Sequence, residues 1–174
     1  DILMDIKDNF NSLDLEVLSP PPIWTKGSWS QLARAISNLV KNAMEANNKI
    51  LGPVKLTCSE FHNQESKKCH LGNLSPGEYV CIKIKDNGNG ISPAIIDKIF
   101  DPFFSTKSGQ KTSGSGLGLS IVIALLDDHK GVLDLETNSK GTTFTIYLAK
   151  ADFSSKDQSS ELSGNETVLV IDDD

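Results

Sequence analysis

The sequence predicts an α/β fold: a two-layer sandwich in which one mixed, mostly antiparallel sheet carries helices on one face. Three observations lead there. Strand-like and helix-like stretches follow one another as strands, helix, strands, helix, strands. Residues 54–61, 79–85 and 143–148 are rich in β-branched, aromatic and alternating apolar positions. Leu32, Ile36, Leu39, Val40 and Ala43 instead recur at spacings of three and four, the period of an amphipathic helix.

In chain order, residues 13–17 alternate as Leu13, Leu15, Val17 against Asp14 and Glu16. That is a strand, which Pro20, Pro21 and Pro22 then forbid from continuing. A second short strand covers residues 23–25. Ser28 with Gln31 three residues later fits a capping box for the helix that ends near Asn47 and Asn48. The strands at 54–61 and 79–85 are joined by a polar stretch, residues 63–77, expected to be a long hairpin loop. A short helix is expected over 93–100. Residues 105–116 hold only Ser, Thr, Lys, Gln and Gly, so nothing apolar anchors them and mobility is expected. A second apolar helix spans 117–126, and residues 131–135 pair with 143–148 around a turn at 138–141.

The 174 residues allow one domain, or one plus a fragment, and 38% hydrophobic residues suffice for a core. The longest stretch without a polar residue, 121–126, falls far short of the roughly 20 residues a bilayer span needs. Seventeen Lys and Arg against 23 Asp and Glu give a net charge of -6, which argues against a general nucleic-acid binder. Three cysteines, Cys58, Cys69 and Cys81, point to a reducing compartment rather than a disulfide framework. The sequence opens on Asp1 without a signal segment and reads as an excerpt of something longer. Residues 1–150 form the expected domain, 151–167 a Ser-rich linker, and 168–171 an apolar run ending in Asp172, Asp173 and Asp174, the start of a further domain.

Four short motifs carry chemistry. Asn38 and Asn42 lie four apart, hence on one helix face outside the apolar stripe. Two such amides can hold a divalent cation through oxygen, or simply be solvated. Asp86-Asn87-Gly88-Asn89-Gly90-Ile91 reads as a hairpin turn or as a pocket floor. In the second case the glycines admit a flat ring and the Asp86 carboxylate accepts a hydrogen bond from an exocyclic amine. A calcium loop is excluded because Ile91 stands where glycine is needed. Phe100-Asp101-Pro102-Phe103-Phe104 gathers three of seven phenylalanines, as a core plug or as a hinge for the polar segment. Gly114-Ser115-Gly116-Leu117-Gly118-Leu119-Ser120 feeds directly into a helix, where free N–H groups and the helix dipole favour an anion. Ser115 replaces the lysine a P-loop requires.

Taken in order, these pieces resemble the GHKL superfamily, and within it the catalytic and ATP-binding domain of sensor histidine kinases, over residues 12–149. The resemblance implies the Bergerat fold, ATP and Mg as ligands, a cytoplasmic location and no membrane contact by this segment. It implies that Asn42 ligates Mg, that Asn38 and Lys41 lie near the phosphates, and that Asp86 reads the adenine amino group. Gly88, Gly90 and Ile91 would admit the base, and Gly114, Gly116, Leu117, Gly118 and Leu119 would hold phosphate beneath a lid. Phe104 belongs to the third motif, and Thr143 with Phe144 matches a weaker final one under the adenine.

One departure concerns charge. Many members of the superfamily carry Lys or Arg three residues after the Mg-binding Asn; here that residue is Glu45, leaving Lys41, Lys107 or Lys111 to face the phosphates. The gyrase, mismatch-repair and chaperone branches have a water-activating Glu four residues before that Asn. Asn38 stands there instead and cannot take a proton, so phosphotransfer is favoured over hydrolysis. None of His62, His70 or His129 sits in an acidic helix ahead of Asn38, so the phosphoacceptor belongs to a dimerisation domain elsewhere. The competing readings are a degenerate nucleotide-binding scaffold and a GHKL-type ATPase. Cys58, His62, Cys69 and His70 lack the paired spacing of a zinc knuckle. Residues 168–174 resemble the first strand of a response-regulator receiver domain, with Asp172 and Asp173 as its acidic pair. Without the rest of a receiver, that strand should be disordered or borrow another edge.

Overall fold

The computed structural model describes residues 2–10, 15–18, 23–106, 116–151 and 168–171. Its elements are α1 (Ile2–Asn9), β1 (Leu15–Leu18), β2 (Ile23–Lys26), α2 (Trp29–Ala46), a 3-10 turn (Lys49–Leu51), β3 (Val54–Asn63), β4 (Lys67–Lys68), β5 (Asn73–Leu74), β6 (Gly77–Lys85), α3 (Gly118–Asp128), β7 (Val132–Asn138), β8 (Gly141–Ala149) and β9 (Val168–Ile171). Five strands form one sheet in the order β1-β3-β6-β8-β7. Only the β1–β3 pair is parallel and the rest are antiparallel, so the sheet is mixed and mostly antiparallel as expected.

Strand parity decides where the core sits. Leu56 pairs with Ile84, Ile82 with Ile146, and Leu133 with Ile146, so these side chains share one face. On that face they pack with Leu32, Ile36, Leu39 and Val40 of α2 and with Val122 and Leu126 of α3, all buried. Burying each large aliphatic side chain contributes roughly 1.5–3 kcal/mol. Cys69, Leu74, Cys81, Val132 and Tyr147 form a second, smaller cluster, with half-buried Phe61 and Tyr79 packed against it. Among the described residues no helix is long and apolar enough to cross a membrane.

Several local expectations change. Helix α1 was not anticipated, yet Ile2, Leu3 and Ile6 are fully buried in the main core. The stretch 93–100 is a run of turns rather than a helix. Its bonds are mostly of the i→i−3 kind, as from Lys98 N–H to the Ile95 carbonyl, and Pro93 has no N–H to give. The 63–77 connection carries its own two-stranded ribbon, β4 with β5. The capping box at Ser28 does not form: the Ser28 hydroxyl meets that of Ser30, and its side chain caps nothing. Instead the Ser28 N–H donates to His129 Nε2 at 2.9 Å, while Nδ1–H donates to the Leu125 carbonyl. One imidazole thus ties the N-terminus of α2 to the C-terminus of α3. Strand β9 borrows an edge within its own chain, running antiparallel to β2 with Ile23 opposite Ile171. Asp172 and Asp173 lie outside the described residues.

Candidate functional site: a cleft between α2, α3 and the sheet

A cavity of about 370 Å³ opens between the two long helices and the end of the sheet where β6 stops and β8 begins. That size suits a small organic ligand. Asn38, Lys41, Asn42 and Glu45 line it from α2, Gly118, Leu119 and Ile121 from α3, and Asp86 and Gly90 from the loop after β6.

Asp86 is 3% exposed, an unusual place for a carboxylate. Its Oδ1 accepts the N–H of Gly88 at 2.8 Å and of Thr142 at 3.2 Å. Its Oδ2 accepts no hydrogen bond from a described residue. Burial pushes the Asp86 carboxyl above the usual aspartate range, and the Gly88 and Thr142 N–H groups pull partly the other way. A buried acceptor with spare capacity is thereby held in the wall of a largely apolar cleft that Ile91, Ile95, Ile99 and Phe144 also line.

The glycines of this loop serve two different neighbours. Gly90 lines the cleft, whereas Gly88 does not. Gly88 is buried against the end of α2, where an added Cβ would lie 2.4 Å from the Ala46 carbonyl oxygen. Asn47, which sequence reasoning passed over, fixes the same junction: its Oδ1 accepts the Asn87 N–H at 2.9 Å. Only the folded chain brings these two residues together.

At the other end of the cleft the α3 N-terminus lies beside the α2 amides. A Cβ at Gly118 would sit 3.7 Å from Asn38 Oδ1 and within 4 Å of the Asn42 amide. The Phe103 N–H donates to the Gly116 carbonyl at 3.0 Å, so the two flanks of the 105–116 segment meet. Phe100 packs on the core, Phe103 is 76% exposed and Phe104 lines the cleft. The cluster therefore serves as both plug and rim. Lys107, Lys111 and Gly114 lie outside the described residues, as does most of the segment expected to be mobile. Leu117 is the residue before α3 and is not in the cavity wall.

Thr143 is a correction. It pairs with Lys85 and Glu136 on the far face of the sheet, and the residues that line the cleft are Thr142 and Phe144. Parity is the cause, since neighbouring strand positions face opposite ways. The cysteine and histidine positions 58, 62, 69 and 70 do not converge. Cys58 faces the main core and Cys69 the second cluster, and no metal-holding group of His, Cys, Asp and Glu occurs among the described residues. All three thiols are free and buried, and burial pushes Cys58 up to about 12, out of nucleophilic range.

Residues 27–152 match the model of the histidine kinase-, DNA gyrase B- and HSP90-like ATPases. The chain is 30% identical to the sensor kinase CckA of Brucella abortus over 93% of its own length and 18% of that protein's. It is 36% identical to the sensory histidine kinase/phosphatase NtrB of Vibrio alginolyticus, over 68% of this chain and 31% of the relative. The chain thus spans between about a fifth and a third of these curated relatives. A mycobacterial sensor histidine kinase, MprB, superposes with a TM-score of 0.62 at 24% identity, covering 87% of this chain and 93% of that one, which shows the shared fold. With the match covering most of the chain and the cleft built from the same segments, the protein belongs to the histidine kinase-, DNA gyrase B- and HSP90-like ATPase family.

Proposed function

We propose that the chain binds ATP with Mg²⁺ and presents the γ-phosphate to a histidine on a separate dimerisation and phosphotransfer domain, in two-component signalling on the cytoplasmic side. The observation that carries this reading is Asp86: a buried carboxylate with one oxygen saturated by backbone N–H groups and the other free to accept an exocyclic amine. Ile91, Ile95, Ile99 and Phe144 supply the apolar walls a purine needs, and Gly90 lets its faces approach the backbone. The neutral amide oxygens of Asn38 and Asn42 beside the α3 N-terminus fit a hard divalent cation and its phosphates. Mg²⁺, when bound, neutralises charge on the transferring phosphoryl group.

The chain's own residues would position rather than react. Asn42 holds the cation, Asn38 and Lys41 align the phosphates, and the backbone of Gly116, Leu117, Gly118 and Leu119 meets them at the helix start. Gly114 and Lys107 would join from the lid. Asn38 offers no base, which favours transfer over hydrolysis. Relatives that are sensor kinases support the same reading. We assign residues 168–174 to the first strand of a receiver domain, reached through the Ser-rich 151–167 stretch.

The purified chain is expected to bind ATP yet form no stable phosphohistidine and release little phosphate; adding the parent's dimerisation domain should restore transfer. Robust hydrolysis by the chain alone would overturn the phosphotransfer reading and make Glu45 the base to test. Asn42→Ala is expected to weaken Mg-ATP about tenfold while leaving adenosine nearly unchanged, because the amide acts through the ion. Calorimetric titration checks this, and equal losses for both ligands would remove Asn42 from the metal site.

A further inference from the structure

With Oδ1 engaged by two backbone N–H groups, Asp86 has Oδ2 left for a ligand's amine, so whatever fixes the direction of the carboxylate fixes how well it reads that amine. On the sheet side the fixing is done by β8. The Asp86 N–H donates to the Thr142 carbonyl at 3.0 Å, and the Thr142 N–H returns to Asp86 Oδ1. On the helix side it is done by Asn47, which ends α2 and lies outside the cleft wall. Its Oδ1 accepts the N–H of Asn87, the residue after Asp86, at 2.9 Å, while its Nδ2 donates to the Gly52 carbonyl at 2.9 Å. Asn87 Nδ2 in turn donates to the Pro53 carbonyl at 3.2 Å. Two asparagine side chains thereby lace together the end of α2, the 52–53 turn and the loop that starts at Asp86. The same helix sets Asn38 and Asn42 in the cleft, so Asn47 ties this loop to the element that carries the two amides. Hydrogen bonds weaken steeply as their angle closes, and a displacement on the order of an ångström is enough to lose most of a positioned contact.

We propose that Asn47 is a positioning residue: by accepting the Asn87 N–H it aims the free oxygen of Asp86, and so sets the selectivity of the cleft for a base that bears an exocyclic amine. It acts through Asn87 and touches no ligand itself. The two halves of its amide do different work. The oxygen aims the loop, and the nitrogen holds the 52–53 turn. The inference rests on the nucleotide reading above.

The test measures, by calorimetry on the whole chain with Mg²⁺ present, the affinity for ATP and for purine riboside triphosphate, which has hydrogen in place of the amine. The unmodified chain is compared with Asn47→Ala and with Asn47→Asp, whose carboxylate keeps an acceptor for the Asn87 N–H but cannot donate to Gly52. Asn47 is half-buried and belongs to neither apolar cluster, so both variants should fold, which circular dichroism checks. The unmodified chain is expected to prefer ATP by about tenfold or more. Asn47→Ala should cut that preference about three- to tenfold, with the analogue's own affinity held within about twofold. Asn47→Asp should keep the preference within about twofold of the unmodified chain, although it unfolds at lower urea because the bond to Gly52 is gone. An amide that only stabilised the fold would instead weaken both ligands together. A folded Asn47→Ala with unchanged preference would overturn the role of Asn47 and leave the nucleotide site standing. Should the alanine variant not fold, Asn47→Asp decides alone: a kept preference supports the aiming oxygen, and a lost one overturns it. An unmodified chain that binds neither nucleotide, or both alike, would overturn the reading of the base and this inference together.

Discussion

Asp86→Asn is expected to cost ATP about ten- to a hundredfold in affinity, or about 1.5–3 kcal/mol, without lowering the stability of the nucleotide-free domain at neutral pH. The amide oxygen can still accept the N–H groups of Gly88 and Thr142, so the local backbone keeps its bonds. The other half of the side chain changes from acceptor to donor and meets the adenine amine donor to donor. Stability moves the opposite way because burial raises the carboxyl pKa in the folded chain. Between the unfolded value and this raised one, the native state holds more protons. The group's contribution is therefore fully present below the unfolded pKa and lost as pH rises through the folded one. Once the pH has passed through both, ionised Asp86 is a net cost that the neutral amide removes. The same shift sets a pH window for binding: ATP affinity of the unmodified chain should fall on acidification at a pH above the ordinary aspartate range, as the acceptor takes up a proton. GTP, with a carbonyl in place of the amine, should bind far more weakly than ATP, and Asp86→Asn should narrow that gap. Equal affinity for the two nucleotides in the unmodified chain would sink the assignment, as would an Asp86→Asn variant that stays folded and binds ATP normally.

What could be read from the sequence, and what could not, separates along the range of the interactions involved. Asn38 and Asn42 share a helix face by spacing alone, and both line the cleft. Asp86, Gly88 and Gly90 follow a strand, where the Asp86 carboxylate accepts the Gly88 N–H, and Asp86 and Gly90 line the cleft while Gly88 packs behind it. The turn at 138–141 is closed by Asn138 opposite Gly141, as its polar residues suggest. By contrast, α1 is eight residues long and too short to be stable by propensity. Its helicity comes from burying Ile2, Leu3 and Ile6 against elements distant in sequence. The Asn47 amide and the Asn87 N–H meet across 40 positions of chain, which no local pattern encodes. Thr142 rather than Thr143 faces the cleft because of the register with β6 and β7, and a one-residue error in a strand selects the wrong face. Ser28 carries a capping signature that a long-range partner, His129, supersedes.

Gly90→Ala is expected to destabilise the domain by about 3–5 kcal/mol, a large share of the roughly 5–15 kcal/mol that holds a domain together. Two costs add. Gly90 has a φ of 70°, in the left-handed region, where an alanine costs about 1–2 kcal/mol. Its added Cβ would also lie 2.0 Å from the carbonyl oxygen of Asn138, backbone that cannot turn aside as a side chain could. The neighbouring bond from Ile91 N–H to Thr137 Oγ1, 2.8 Å long, anchors the same loop to the β7–β8 hairpin and would be strained as the chains move apart. Because Ile91 forms part of the cleft wall, the loss should appear in ATP affinity as well as in stability. Gly52→Ala is the matched control. It has a φ of 117° but nothing within 4 Å of its added Cβ, so it should incur backbone strain without the collision. Urea unfolding with an unchanged m-value should therefore rank the unmodified chain, Gly52→Ala and Gly90→Ala in falling order of stability. If Gly90→Ala cost no more than Gly52→Ala, the loop would have to give way freely at Asn138, and the close approach of the two backbones would not be what holds the cleft wall in place.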